Sequence, residues 1–177
     1  EAVVILMNKI FKELEFLFPK ELKIEEFRNT LSEEPFSDES INFLDVLSKY
    51  LLNDKKSKLY PDVATFGFYC RKANIIKLKE KYINAENIRL GRGIVFHIAP
   101  SNVPVNFAYS LICGILSGNT NIIRVPSKRF EQIEIIINAI EKISKDPKYE
   151  IFSKRMVLIR YDRQNNATNY FSSICDV

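Results

Sequence analysis

The sequence predicts an α/β fold, a parallel sheet with helices on both faces in three layers, preceded by an α-helical N-terminal arm. Three observations support this prediction. Apolar residues recur at helical spacing in the first half of the chain, β-branched runs alternate with helical runs in the second half, and short links join them. With 46% hydrophobic residues, 177 positions are sufficient for one buried core.

Residues 1–86 read as a helical N-terminal region. Apolar side chains lie near helical spacing over residues 2–17, and a stripe of Ile and Leu side chains predicts a helix over residues 39–52. A third helix is predicted over residues 61–82, where a proline occupies the first position and its missing N–H costs nothing. These segments carry no pattern that indicates catalysis.

Residues 87–177 show a change of period. The predicted strands span residues 92–99, 121–125 and 156–161, and the predicted helices span residues 105–117, 130–145 and 167–174. Such alternation with short links indicates parallel strands joined by helical crossovers. Because the helix over 105–117 has hardly any polar side, we expect it to be buried between the sheet and a second element, either the N-terminal helices or a part of the protein beyond residue 177.

Two turns that follow predicted strands carry the residues of chemical interest. Residues 99–104 break a strand with a proline, pass through a Ser-Asn pair and restart as a helix, and residues 124–128 repeat this arrangement with two cations. Ligands in α/β folds bind where strands end and helices begin. The alternative is a solvated turn whose Ser101 and Asn102 only cap a helix. The glycines of Gly91-Arg92-Gly93 precede a strand, so they are no dinucleotide fingerprint.

These residues also carry a resemblance to a known family. Ala99-Pro100-Ser101-Asn102-Val103-Pro104, with Gly118-Asn119-Thr120 and Arg124-Val125-Pro126-Ser127-Lys128, resembles paired motifs of the aldehyde dehydrogenase superfamily. Within that superfamily the chain is most similar to acyl-CoA reductases of the bacterial luminescence type, and residues 35–39, 60–74 and 173–177 resemble them too. The resemblance implies an aldehyde dehydrogenase-like sheet, with residues 87–177 forming an incomplete Rossmann-like NADP-binding domain.

The resemblance implies roles for individual residues. Asn102 matches the asparagine that stabilises the oxyanion. NADPH is the implied cofactor, and the implied binding residues are Ala99, Pro100, Ser101, Arg124, Pro126, Ser127 and Lys128. The position matching Lys128 is commonly a glutamate that holds ribose hydroxyls in the superfamily, and a cation there favours a 2′-phosphate. The alternative is an ordinary surface lysine in a first helical turn.

By the same resemblance, the protein is the N-terminal part of an NADPH-dependent reductase. Such a reductase takes a fatty acyl group from CoA or an acyl-enzyme, forms a cysteine thioester and releases a fatty aldehyde. We expect its cysteine and glutamate beyond Val177 and the fragment alone to be inactive. Implied partners are an acyl-protein synthetase, an acyl transferase and further copies of the chain. The alternatives are another superfamily oxidoreductase, such as an aldehyde dehydrogenase or a glutamyl-phosphate-type reductase, or a non-catalytic nucleotide-binding module.

Composition argues against several other classes. A net charge of +4 is too small to indicate nucleic-acid binding, and the apolar run at residues 3–7 is too short to span a membrane. The small number of Cys and His residues argues against a metal site. The small number of cysteines also fits a reducing cytoplasm. We interpret Cys113 as a packed hydrophobe, Cys70 and Cys175 as non-catalytic thiols, and His97 as a structural histidine.

Overall fold

The computed structural model describes residues 14–83, 87–162 and 166–177, in which a mixed four-stranded sheet carries helices on both faces. The strands are β1 (Glu15–Phe18), β2 (Ile94–Ile98), β3 (Thr120–Arg124) and β4 (Met156–Arg160). The helices are α1 (Ile24–Arg28), α2 (Asp38–Asn53), α3 (Pro61–Tyr69), α4 (Lys72–Tyr82), α5 (Asn106–Leu116), α6 (Glu131–Ser144), α7 (Phe152–Arg155) and α8 (Ala167–Ile174).

The sheet has the strand order β1-β4-β3-β2. β2, β3 and β4 are parallel to one another, whereas β1 is antiparallel to β4. The α/β class is therefore confirmed, and the strands predicted over 92–99, 121–125 and 156–161 are confirmed to within two residues at either end. The prediction of an entirely parallel sheet is wrong, because an antiparallel strand closes one edge.

The two faces of the sheet are buried by different helices. Side chains alternate along the central strands, so Ile122 and Val157 pack with α1 and α8 on one face. Ile123 and Leu158 point to the opposite face, which α2 to α6 cover. Burial on both faces explains why β4, with the sequence Met-Val-Leu-Ile-Arg, reads as a nearly continuous apolar run.

The helix predicted over residues 2–17 is wrong at its C-terminal end. Glu15–Phe18 forms β1, while residues 1–13 lie outside the described part of the chain. The outer edge of β4 offers backbone groups that need partners, and Glu15 and Phe16 pair there with Arg160 and Ile159. Those backbone hydrogen bonds outweigh the local helical spacing of apolar side chains.

The helix predicted over residues 61–82 is interrupted after Tyr69. Cys70 and Arg71 lie outside both helices, and Arg71 has an extended backbone with φ −57° and ψ 135°. The Asn74 side chain donates to the Phe68 carbonyl at 2.8 Å, and the Arg71 N–H donates to the same carbonyl at 3.3 Å. The interruption divides the predicted helix into α3 and α4.

The helices predicted over 39–52, 105–117, 130–145 and 167–174 are confirmed to within a residue at either end, whereas α1 and α7 were not predicted. α2 begins at Asp38 because the Ser37 hydroxyl accepts a hydrogen bond from the Ser40 N–H at 3.2 Å. Helices from the first half of the chain share one core with the sheet, where Phe43 stacks on Phe152 with ring centroids 4.0 Å apart. The division of the chain at residue 86 stays a prediction.

α5 lies close to the sheet at Gly114. A Cβ atom at this position would overlap the Oδ1 atom of Asn121 on β3 and lie 3.1 Å from the Nε2 atom of His97 on β2. Glycine therefore allows the helix to approach two polar side chains that bond to each other across the sheet. Gly118 ends the same segment with φ 76°, a conformation that favours glycine after a helix.

We predict that Gly114→Ala destabilises the protein, although alanine is normally the better helix former. The added methyl group must displace the Asn121 amide, and we expect the free energy of unfolding to fall by about 1–3 kcal/mol. Urea denaturation measures this change. Cys113→Ala, an exposed neighbour in the same helix, serves as the control. Gly114→Ala combined with Asn121→Ala should cost less than the sum of the two single variants, and strict additivity would contradict the proposed overlap.

Candidate functional site

The two turns singled out by their sequence lie side by side at one edge of the sheet. Ile98, the last residue of β2, pairs with Arg124, the last residue of β3, and Arg124 pairs in turn with Ile159 of β4. The ladder continues past both strands, since Ala99 N–H donates to the Arg124 carbonyl at 3.1 Å and Val125 N–H donates to the Ile159 carbonyl at 2.9 Å. The parallel register therefore brings the two loops together.

A cleft of about 260 Å³ opens between these loops, and we call it the strand-end cleft. It is lined by Ile98, Ala99, Pro100, Ser101, Arg124, Val125, Pro126 and Ser127. The structure thus brings together six residues for which the sequence implied cofactor contacts: Ala99, Pro100, Ser101, Arg124, Pro126 and Ser127. Ile98, which is 53% exposed, adds an apolar surface that a flat ring system can pack against.

Arg124 supplies the positive charge of the strand-end cleft. Its Nη2 atom donates to the Tyr161 carbonyl at 3.2 Å, and its guanidinium carbon lies 4.7 Å from the centroid of the Tyr161 ring. Its Nε atom is buried and has no hydrogen-bond partner among the described residues. A guanidinium that is held in this way at a cleft is suited to binding an anion.

Two residues missed in the sequence hold the second loop in place. The Tyr161 carbonyl accepts from both Arg124 and the Ser127 hydroxyl, the latter at 3.3 Å. Arg160, which is 5% exposed, donates through Nε to the Pro126 carbonyl at 3.1 Å. Arg160 is the last residue of β4 and Tyr161 follows it directly, and neither belongs to a recognisable motif. Their position at the end of the third parallel strand is the signal that could have identified them.

Arg160 also joins this loop to two carboxylates. Its Nη1 atom lies 3.0 Å from an oxygen of Glu15 on β1, and its Nη2 atom lies 3.4 Å from an oxygen of Glu134 on α6. A buried guanidinium requires such partners because removing it from water is costly. Arg160 therefore ties β1, the Pro126 loop and α6 together.

Lys128 does not line the strand-end cleft. Its ammonium is exposed and lies 5.0 Å from the centroid of the Phe130 ring. The prediction that Lys128 opens a helix is wrong, because α6 begins at Glu131 after Phe130 with an extended backbone. Lys128 is therefore part of the loop that enters α6, and its contact with a cofactor phosphate stays a prediction.

Asn102 lies in the turn between β2 and α5 and is exposed to solvent. It follows the cleft residues Pro100 and Ser101 directly but does not itself line the strand-end cleft. α5 begins four residues later, at Asn106, whose N–H donates to the Val103 carbonyl at 3.3 Å. This exposure leaves the carboxamide accessible to a reacting group, and its role in catalysis stays a prediction.

None of the three cysteines has the environment of an activated nucleophile. Burial raises the pKa of the Cys70 thiol far above its usual range, and burial together with Asp176 raises the pKa of Cys175 to about 11. Partial burial also raises the pKa of Cys113. The interpretation of Cys113 as a packed hydrophobe is wrong, because its side chain lies on the exposed side of α5. The other side of α5 is buried in one core with the sheet and α2.

His97 makes a contact that accounts for its presence. Its Nε2 atom lies 3.1 Å from the Oδ1 atom of Asn121, whose own amide donates to the Asn119 carbonyl at 2.8 Å. Burial lowers the pKa of the imidazole below its usual value of 6.5, which favours the neutral ring. These contacts indicate a structural role for His97.

The described residues form neither a metal-binding cluster nor a membrane-spanning helix. In the ranges 14–83, 87–162 and 166–177, no three or more His, Cys, Asp or Glu side chains are arranged to hold a metal ion. No helix in those ranges has the length and apolar character needed to cross a membrane.

Comparison with known proteins adds one finding to this geometry. A model of the family described as acyl-CoA reductase (LuxC) matches residues 75–168, which is more than half of the chain. The matched range contains both loops of the strand-end cleft, the whole of β2, β3 and β4, and Asn102. No match was found among curated proteins.

We predict that His97 makes the stability of the protein depend on pH below neutrality. Because its folded pKa is lowered, the unfolded state binds more protons once the pH falls below about 6.5, and stability decreases until the pH passes the folded value. Unfolding free energies measured from pH 7.5 to 5 should fall more steeply for the wild type than for His97→Gln, which does not titrate. Equal slopes for the two proteins would show that His97 titrates normally in the fold.

Proposed function

The chain belongs to the acyl-CoA reductase (LuxC) family, and on that premise we propose that it forms the cofactor-binding part of an NADPH-dependent fatty acyl reductase. The substrate is an activated fatty acyl group, delivered by CoA or by an acyl-enzyme, and the product is a fatty aldehyde. The observation that carries the proposal is Arg124, whose guanidinium is held by Tyr161 at a cleft within the family match.

The strand-end cleft has the chemistry that a dinucleotide requires. When bound, NADPH supplies a hydride to the acyl carbon. Arg124 offers a cation and spare donors for a phosphate oxygen, and the hydroxyls of Ser101 and Ser127 add further polar contacts at the rim. Ile98 and Pro126 provide apolar surface for a base. These residues fit the cofactor, and we propose that the sheet is of the aldehyde dehydrogenase type.

We assign the choice of NADPH over NADH to Lys128. Lys128 directly follows Ser127 in the loop between β3 and α6. Its ammonium contacts the Phe130 ring and is still exposed. An exposed ammonium within reach of a ribose 2′-phosphate attracts it by about 1 kcal/mol, whereas a carboxylate in its place would repel it. Arg124 contributes to the binding of both NADPH and NADH, because both cofactors contain a pyrophosphate.

Asn102 is proposed to stabilise the oxyanion. Attack of a thiol on an acyl group places negative charge on the former carbonyl oxygen, and a fixed amide N–H can stabilise that charge. Because Cys70, Cys113 and Cys175 all have raised pKa values, we propose that the thioester forms on a cysteine outside these 177 residues. We assign the general base to a glutamate that also lies outside them.

The resemblance to luminescence-type systems suggests the proposed partners. An acyl-protein synthetase and an acyl transferase would prepare the activated acyl group, and the reductase itself would assemble as a homo-oligomer. The cysteines Cys70, Cys113 and Cys175 are free thiols, which is consistent with the reducing cytoplasm in which we propose that the protein works.

We predict that Lys128 and Arg124 contribute differently to cofactor binding in the full-length reductase. Lys128→Glu should shift the ratio of NADPH to NADH affinity toward NADH by about tenfold, because a carboxylate repels the 2′-phosphate. Arg124→Met should weaken both cofactors together. Cofactor titrations by fluorescence measure both effects, with Arg129→Met as the matched control because Arg129 lies outside the cleft and bonds to Glu15. An unchanged ratio in Lys128→Glu would remove the role assigned to Lys128.

We predict that Asn102→Ala lowers turnover of an acyl thioester by about 100- to 1,000-fold and leaves NADPH affinity nearly unchanged. The reason is that an oxyanion donor acts on the transition state and not on cofactor binding. Steady-state kinetics and a separate NADPH titration measure the two quantities on the same preparation. If NADPH affinity falls while turnover at saturating cofactor is retained, Asn102 is a cofactor ligand and the assigned role is wrong.

A further inference from the structure

A second pocket, of about 440 Å³, lies between α3, α4 and the C-terminal half of α5, and we call it the α4–α5 pocket. Its lining residues are Pro35, Phe36, Tyr69, Leu78, Tyr82, Ile83, Arg89, Cys113, Leu116 and Ser117. The volume is in the range of small-molecule sites, and aromatic and aliphatic side chains predominate. Nothing in the proposed cofactor chemistry uses it.

The wall of the α4–α5 pocket is held in a defined conformation at Phe36. This residue has φ 56°, a left-handed backbone that is rare for a side chain of this size. Its N–H donates to the Leu116 carbonyl at 2.8 Å, and its carbonyl accepts from the Lys79 ammonium at 3.0 Å. The backbone of Phe36 is therefore bonded to both α4 and α5, which fixes this part of the pocket wall.

The polar groups of the pocket point to a ligand with a single anionic group. The Ser117 hydroxyl is already occupied, since it donates to the Cys113 carbonyl at 2.8 Å. Arg89 is exposed at the pocket and uses Nη1 to donate to the Tyr82 carbonyl at 3.1 Å, which leaves its other donors for a ligand. Residues 71–92 contain seven Lys and Arg against two Asp and Glu, so this part of the chain holds a concentrated positive charge.

We propose that the α4–α5 pocket binds a fatty carboxylate, with the aliphatic chain against the apolar wall and the carboxylate near Arg89. The choice of a fatty chain rests on the proposed function, whereas the apolar body and the anionic end follow from the lining. The pocket lies at the C-terminal end of α5, about 16 Å along the helix from the end that follows the strand-end cleft. It is therefore a site separate from the cofactor cleft.

Cys113 provides a direct probe of this site in the full-length protein. Its thiol lines the pocket and is exposed, whereas Cys70 is buried and Cys175 is half-buried. Dodecanoate should slow maleimide labelling of Cys113, measured by mass spectrometry, and leave labelling of Cys175 unchanged. It should also bind in calorimetry without NADPH or any acyl thioester present. Dodecanol, which has the same chain and no charge, should bind more weakly.

Variants separate the charge from the apolar wall. Arg89→Gln should weaken dodecanoate binding about two- to fivefold and abolish its advantage over dodecanol, as expected of an exposed ion pair. Arg92→Gln removes the same charge from an exposed residue outside the pocket and should have no effect. Cys113→Phe fills the pocket and should weaken binding at least about tenfold, whereas Cys113→Ser should retain it. Ser117→Phe, also exposed, replaces Cys113→Phe if that variant does not fold.

The proposal is overturned if dodecanoate does not protect Cys113, or if Cys113→Phe and Ser117→Phe fold and bind dodecanoate as the wild type does. It is also overturned if light scattering shows that these variants dissociate an oligomer, because the pocket would then be a contact between copies of the chain. The failure of this proposal and the failure of the proposed function can be distinguished. Loss of NADPH binding or of acyl reduction with dodecanoate binding intact rejects only that function, and the converse result rejects only this pocket.

Discussion

The hydrogen bonding of β3 to a parallel neighbour on each side is the constraint on which the rest of the structure depends. It aligns Ile98, Arg124 and Ile159 in one register, so the loops that follow β2 and β3 leave the sheet at the same edge. Neither loop could form a cleft without the other. Burial of β3 by helices on both faces removes any alternative pairing, since a shift of one residue would exchange its two apolar faces.

Much of the fold after residue 87 was predictable because its signals are local. Each strand there is a short run rich in β-branched residues, and it is followed by a segment whose apolar residues have helical spacing. Pro100 and Pro126 mark the ends of two of these strands. β1 was not predictable in this way. Its apolar residues satisfy a helical spacing, and only the free edge of β4, distant in sequence, decides that Glu15–Phe18 is extended. The interruption after Tyr69 likewise depends on a side-chain bond from Asn74.

The residues of the candidate site also differ in how readily the sequence predicts them. The cleft residues Ser101, Arg124 and Ser127 stand in recognisable motifs, and the sequence identified them. Tyr161 and Arg160 position those residues from β4, where no motif draws attention to them. The exposure of Cys113 was also hidden, because an apolar helix gives no indication of which neighbours will cover it. Motifs therefore identify the residues that line a cleft more readily than the residues that support them.

The bonds of Arg160 have a consequence for how the molecule opens. The Arg160 guanidinium contacts Glu15, Glu134 and the Pro126 carbonyl. Release of β1 therefore removes one counter-ion from a buried cation, which weakens the hold of Arg160 on the rim of the cleft. Local opening at the two places is thermodynamically coupled. A ligand bound in the strand-end cleft is then expected to slow amide hydrogen exchange in β1, although β1 does not line the cleft.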